Sequence, residues 1–401
     1  MVVTLEPTAP VDEGTPGRPG VSLPLFVGFG IVATGGPLAL VALFVPQTVG
    51  ALHSVGLVGL LSVAIFALPV AIWFRFSRTV TSSGGLFSFV EAAAGRRWAL
   101  VHGAVWIVSY FLYLPYTIAY IVYDLLPVVF PRIGGLRPVL EIVLPLAVVA
   151  LAFLRIRTGL VIVAGLALLQ LGVLVALFAS GVHLLGVPAS SFAVHGHSRS
   201  VLSAGADLSL LYVCTSLPLY LGGEVTGGAR TVRRGLVAGF GLSAAFVVAG
   251  ALVWATAGAG LLASPIPGVT LATAAVSSGF GTVVGVGVVA SVAGVVVAEY
   301  FALSRLLHVM VGRPLRRTTS LVAAGFVVSS LLSLIDPQAF YTELLKPSLV
   351  ALWVSQIIVC AVYPLYARTG RRLRLLPMTL GAGGTAVMGF GLYEALRAVS
   401  T

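Results

Sequence analysis

Gly28-Phe29-Gly30-Ile31-Val32-Ala33-Thr34-Gly35-Gly36-Pro37 lies inside an apolar run that starts at Leu23 and continues to about residue 45. Such a run exceeds the roughly 20 residues needed to cross a bilayer as a helix. Pro37 removes a backbone donor, and the glycine pair before it weakens the helix at the same point. Local unwinding there would leave amide and carbonyl groups unpaired at mid-membrane. Lipid tolerates these only where they line a cavity or bind something. A simple kink with glycines for close packing is the competing reading, and this stretch alone does not decide between them.

Comparable runs recur along the chain as far as Leu396. The 401 residues are 59% hydrophobic and 9% charged, against about 25% charged in a soluble domain. Too little polar surface exists to cover a water-facing globule. Backbone groups in lipid must be satisfied within helices or a closed barrel. Runs such as 320–335 are continuously apolar rather than alternating, so an all-α polytopic membrane protein is expected. Eleven spans are read near 23–45, 54–74, 98–126, 138–154, 159–185, 204–225, 234–258, 279–304, 319–335, 346–366 and 375–396. Residues 83–95 read as a lateral helix before the third span, and residues 265–278 as a surface helix before the eighth.

The net charge of +11 would fit a nucleic-acid partner if it formed a patch, but the charges sit in short loops. With the N-terminus inside the cell, 18 of the 23 Lys and Arg residues fall on the inner side, among them Arg18, Arg371, Arg372 and Arg374. Arg132, Arg137, Arg199, Lys346 and Arg397 remain outside. The positive-inside rule therefore places the N-terminus in the cytoplasm and the C-terminus out, in a plasma membrane. Cys214 and Cys360 both lie in apolar segments and imply no disulfide framework. Residues 1–20 lack a basic leader region and read as a disordered cytoplasmic tail. Residues 21–366 then form a ten-helix core, and 367–401 carry one additional helix.

The sixth span repeats the feature of the first. It reads Tyr212-Val213-Cys214-Thr215-Ser216-Leu217-Pro218-Leu219-Tyr220-Leu221-Gly222-Gly223-Glu224, with small polar side chains beside a carbonyl that Pro218 would free. Interruptions at the first and sixth positions match a five-plus-five inverted repeat, which points to a transport site between the repeats.

These residues resemble the amino acid–polyamine–organocation permeases, whose core is the LeuT-type fold. Ser83-Gly84-Gly85-Leu86-Phe87-Ser88, running on to Trp106-Ile107-Val108-Ser109-Tyr110, is similar to the family's GG-x-Y segment and third helix. Thr34-Gly35-Gly36 stands at the glycine-rich break of the first helix. Tyr212–Ser216, ahead of Gly222-Gly223-Glu224-Val225, resembles the aromatic-x-G-F-E to E-E-V spacing. Ser304-Arg305-Leu306-Leu307 resembles the S-R-x-L closing the eighth helix. The likeness covers about residues 22–366. It departs at Cys214, where relatives often have Gly, at the added Pro218, and at Gln170, where some proton-coupled relatives have Lys.

The resemblance implies secondary transport of amino acids or related small organic solutes, without a cofactor and with proton or sodium coupling. Amides of Thr34, Gly35 and Gly36 would hold a carboxylate, and carbonyls near Tyr212, Val213 and Cys214 an ammonium, with Thr215 and Ser216 beside them. The third span carries an aromatic face, from which Ser109 and Tyr113 are the expected pocket contacts. Glu299 is a coupling candidate, since ionisable groups in spans cost roughly 2.5–3.5 kcal/mol, with Gln170 the second as its neighbour across the bundle; a structural ion pair near the cytoplasmic face is the competing reading of Glu299. Glu224 is expected to pair with Arg230, Asp207 to be solvated, and His102 to satisfy a partner within the third span. His195 and His197 flank a glycine in an outer loop and read as loop residues rather than metal ligands, and no metal site is expected. No H-E-x-x-H, G-x-S-x-G or phosphate-loop pattern points to an enzyme. Transport of amines or nucleobase-like solutes, or sensing without transport, stays open. Partners beyond the substrate would be membrane lipid, with no nucleic acid.

Overall fold

The computed structural model describes residues 20–49, 54–194, 198–368 and 375–397, without the side chains of Arg199 and Tyr341. The tail before residue 20, Arg18, the His195/His197 pair and the cluster Arg371, Arg372 and Arg374 lie outside these residues. Among the described residues, ten helices are long and apolar enough to cross a membrane. They are Leu23–Val49, Val55–Phe76, Arg96–Val129, Ile133–Phe153, Ile156–Leu185, Ser200–Glu224, Gly228–Val253, Ser278–Val311, Pro337–Tyr366 and Leu375–Arg397. An eleventh, Leu315–Leu332, has 18 residues and opens with Arg316 and Arg317. It takes the ninth place, so the order along the chain matches the expected eleven. The lateral helix before the third span is Leu86–Ala94, and the surface helix before the eighth is Pro267–Ala275.

One expected boundary moves. Lys346-Pro347 marks the expected start of the tenth span, yet that helix runs unbroken from Pro337 to Tyr366. Asp336 caps it, its Oδ1 accepting from the Ala339 amide at 2.9 Å. An internal proline costs one ladder bond, and here the helix carries that cost without ending.

The first span is central. Of its apolar stretch 83% is buried, against 17% for the fourth span at the periphery. It packs on the fifth, seventh and eighth spans. Small residues permit this closeness: Gly30 and Gly239 face one another across the first and seventh spans, and Gly28 rests against Ala164 of the fifth. Lipid tails offer no hydrophobic drive between helices, so close van der Waals contact of this kind holds the bundle together. Leu168, Leu169 and Val175 of the fifth span, with Val139, Val143 and Leu146 of the fourth, point outward as a lipid-facing surface.

Candidate transport site

The first span breaks where the glycine pair stands. A helical segment, Leu23–Ala33, ends at Thr34, and Gly35 and Gly36 take φ of +117° and +71° before helix resumes at Pro37. Left-handed backbone costs an L side chain about 1–2 kcal/mol, so the turn needs glycine. Beyond it, Leu40–Phe44 is wound as a π-helix. The Val41 carbonyl in that bulge accepts from Trp254 Nε1 at 2.8 Å, so it is not left unpaired in the membrane.

The amides at the break point inward. Thr34 N donates to Gly30 O, Gly35 N to Val32 O and Gly36 N to Ile31 O, at 3.2, 3.2 and 3.3 Å. The Thr34 hydroxyl also turns away from the cavity side, bonding Gly30 O at 2.7 Å and Ser243 Oγ of the seventh span at 2.7 Å. Behind Gly36 sits a polar pair: Ser291 Oγ donates to Gln170 Oε1 at 2.7 Å and accepts from the Ala39 amide at 3.4 Å. Gln170 Nε2 is buried and finds no partner among the described residues. Gln170 is thus a neighbour of Ser291, not of Glu299, which lies eight residues and about 12 Å further along the eighth helix.

The sixth span does not unwind. It is α-helical to Ser209 and then 3₁₀ from Leu210 to Glu224, with no positive φ. Within that run Val213 and Cys214 line the cavity. Tyr212 points to the second and seventh spans, stacking on Phe66 and Phe240, with its hydroxyl 3.4 Å from Ser62 Oγ. Ser216 bonds the Val213 carbonyl at 3.1 Å and accepts from Gln356 Nε2 at 3.4 Å. Thr215 is buried, its hydroxyl unpaired among the described residues.

A cavity of about 360 Å³ lies against the break, walled by Thr34, Gly35, Leu40, Phe44, Tyr113, Val213, Cys214, Val295 and Trp353 among others. It shares Phe44, Tyr113, Thr117 and Val292 with a vestibule of about 580 Å³. The vestibule is lined by Gln47, Tyr116, Tyr120, Tyr123 and Asp124, on the face opposite the N-terminal end. Two long helices meet it with π-wound turns, Leu40–Phe44 in the first span and Ile121–Leu125 in the third. π-bulges recur at functional sites. Ser109, by contrast, is out of the wall: Ser109 and Ser348 exchange hydroxyl-to-carbonyl bonds of 2.9 Å and tie the third span to the tenth.

Toward the N-terminal face the path is shut. Glu224 takes two bonds from Arg305 of the eighth span, at 2.5 and 3.2 Å, and Arg305 also donates to Phe301 O. Glu224 therefore pairs with Arg305 rather than Arg230, because the end of the sixth helix is laid against the eighth. The segment before the first span adds two backbone bonds, Val21 N to Glu224 O at 2.8 Å and Thr226 N to Val21 O at 3.0 Å. A separate cavity of about 230 Å³ on this face, beside Arg305, shares no lining residue with the central one.

Glu299 in the eighth span and His102 in the third are fully buried and unpaired among the described residues. His102 does not find the partner expected within its own helix, where backbone bonds already occupy the carbonyls. Ser243 and Ser291 were not legible as site residues, since each meets the first span from more than 200 residues away. Glu141 was also missed. It is buried at the vestibule rim, accepting from Tyr123 at 3.1 Å and Ser333 at 2.7 Å.

No family model and no curated protein matches this sequence. Solved structures do. A manganese transporter of Eremococcus coleocola aligns with TM-score 0.60 at 12% identity, covering 93% of this chain and 87% of that one. A nucleobase-cation-symport-1 family transporter with bromovinylhydantoin bound gives 0.61 at 14%, over 95% and 93%. MhsT in complex with L-phenylalanine gives 0.59 at 15%, over 92% and 98%. At such identities the likeness establishes the architecture alone: this chain has the LeuT-type fold, two five-helix inverted repeats plus one helix.

Proposed function

We propose that the protein is a secondary active transporter of small organic solutes that works by alternating access. The reading places it in the plasma membrane with its N-terminus cytoplasmic, coupled to a proton or sodium ion through Gln170 or Glu299. One observation carries it: the cavity at the broken first helix joins a vestibule on one face and stops short of the other, where Arg305 and Glu224 pair. A solute site open to one side and sealed by a separable ion pair toward the other is what alternating access requires.

The resemblance to amino acid permeases supports an amino acid as substrate. The break itself favours an amine, because the amides that would hold a carboxylate already donate within the first helix. The fold is neutral on the point, since its solved examples hold solutes as unlike as an aromatic amino acid and a hydantoin.

Cys214 supplies a test that needs no knowledge of the substrate. It lines the cavity, whereas Cys360, the other cysteine, is fully buried. An impermeant maleimide should label Cys214 from the vestibule face of sealed vesicles, and opening the Arg305–Glu224 pair by mutation should shift labelling to the N-terminal face. Labelling from both faces at once would indicate a channel. Labelling confined to the vestibule face under every condition would leave a non-transporting sensor as the better reading.

A further inference from the structure

Glu299 is the one carboxyl group among the described residues that is wholly buried with neither oxygen bonded. It lies one helical turn beyond Val295, a cavity-wall residue. Its charge would act on Tyr113 and Cys214, also in that wall, and on Tyr110, whose hydroxyl is 4.0 Å from Cys214 Sγ. Glu299 therefore stands just beneath the cavity floor, on the side toward the closed face.

The surroundings offer it no cation. Tyr110 and Tyr113 face it from the third span and Cys214 from the sixth. The first span brings no titratable residue, and those of the fourth, fifth and ninth lie toward their ends. Arg305, six residues on, is held by Glu224, and His102 is two turns of the third span from Tyr110. Neither cavity is lined by Lys, Arg or His. Phe44, Tyr113 and Trp353 instead present rings, whose faces attract cations.

A carboxylate ion in this position would lose its hydration without gaining a counter-charge, at several kcal/mol. Two things remove that cost, a proton on the carboxyl or a cation beside it, and each excludes the other. Resting on the transporter reading above, we propose that Glu299 is occupied in turn by a proton and by the ammonium group of an organic cation, and that the chain exchanges one for the other. As the ammonium enters from the cavity, the Glu299 O–H bond breaks, its proton passes to water, and a carboxylate–ammonium pair forms. On the opposite face the cation leaves and a proton from water restores the O–H bond. Each cycle moves one cation against one proton with no net charge. Exclusive occupancy of one carboxyl suffices to couple the two flows.

The experiment measures binding and proton release together on purified protein in lightly buffered detergent. The probes are benzyltrimethylammonium and tetramethylammonium, which carry no dissociable proton, with L-phenylalanine and benzyl alcohol as zwitterionic and neutral counterparts. The aromatic ammonium should bind, release about one proton per site, and tighten by about tenfold per pH unit until the carboxyl is ionised. The zwitterion and alcohol should bind at least about tenfold more weakly. Glu299→Gln should abolish proton release and weaken ammonium binding by about tenfold or more. Should that variant not fold, Glu299→Asp keeps the carboxyl and should keep the release at lower affinity. Binding without proton release, unchanged affinity in Glu299→Gln, a zwitterion preferred over both ammonium ions, or neither ammonium binding would each overturn the proposal. In any of those cases, alternation of Cys214 labelling between the faces leaves the transporter reading standing. If ammonium binding releases a proton but Cys214 never becomes accessible from the N-terminal face, the transporter reading falls and a proton-displacing ammonium site remains.

Discussion

The first and sixth spans carry similar helix-breaking sequence, yet only the first is broken. At Gly35 and Gly36 the backbone turns through φ of +117° and +71°, ending one helix and starting another. Through Leu210–Glu224 the chain has a buried proline and a glycine pair and still stays helical, tightened into a 3₁₀ coil. A missing donor strains a helix, but reversal of the chain path needs residues that accept left-handed backbone where the turn falls. In the sixth span the glycines come too late. Gly222 and Gly223 lie at the N-terminal-face end, packed on the backbone of Ser82 and Ser83. Of two halves meant to mirror one another, one supplies a hinge and the other a stretched rod.

The strongest attack on this contrast is Gly36→Ala. A Cβ there would sit 2.8 Å from both Cβ and Oγ of Ser291 and 3.1 Å from Gln170 Oε1, on backbone that disfavours any side chain. Strain and overlap together should cost about 3 kcal/mol, read as a fall in thermal stability with slowed labelling of Cys214. A shift near zero would mean that the break relaxes freely and is no fixed feature. Arg305→Gln comes next and probes the rod's anchored end. It leaves Glu224 without its cation, and because the Glu224 side chain is 25% exposed, water recovers part of the loss. About 2 kcal/mol against the closed face is expected, which raises labelling of Cys214 from the N-terminal face by about 30-fold. No rise would show that the pair does not hold this face shut.

Most of the fold was legible because lipid makes hydrophobic length and loop charge decisive. Spans, the lateral helix before the third and the break at Gly35-Gly36 all follow from local sequence. The tenth span was misjudged because Lys346-Pro347 has the form of a boundary, and one lost ladder bond proved insufficient to end a helix. Cavity-wall residues were legible where backbone geometry chose them, as at Gly35, or where Tyr113 followed a helical face. Side-chain direction in the sixth span was not. Going from 3.6 to 3.0 residues per turn turns each successive side chain by about 20° more, so Tyr212 and Ser216 face protein while Val213 and Cys214 face the cavity. Partners such as Ser243, Ser291 and Arg305 are distant in sequence, and nothing in the local pattern of the first or sixth span names them.

Smaller effects refine the comparison. Thr34→Val removes the hydroxyl that bonds Gly30 O, Ile31 O and Ser243 Oγ. A stability loss of about 1 kcal/mol is expected, with labelling of Cys214 and ammonium binding unchanged, since the hydroxyl faces the seventh span rather than the solute. A large loss of binding would instead place this side chain at the substrate.

Pro218→Ala should do least, and for a reason that separates the two spans. If proline dictated the winding of the sixth span, supplying its missing donor would let the α ladder return. The run is, however, held at both ends. The α-helix before it packs along the second span, and Glu224 is fixed by Arg305 and by the backbone of Val21. Fifteen residues in 3₁₀ form reach about 30 Å, against about 22 Å as α-helix. Fixed ends that far apart select the longer coil whether or not residue 218 can donate. Trimming the ring from its contact with Gly30 opens a small gap, and the regained amide offsets part of that loss, so the net change should stay below about 1 kcal/mol. The decisive readout is Cys214, four residues earlier. A return to α-helix would rotate it out of the cavity wall and suppress its labelling, whereas a coil set by its anchors keeps the rate within about twofold of the parent. Suppressed labelling would show that a single proline holds the sixth span in its form, as the glycine pair holds the first.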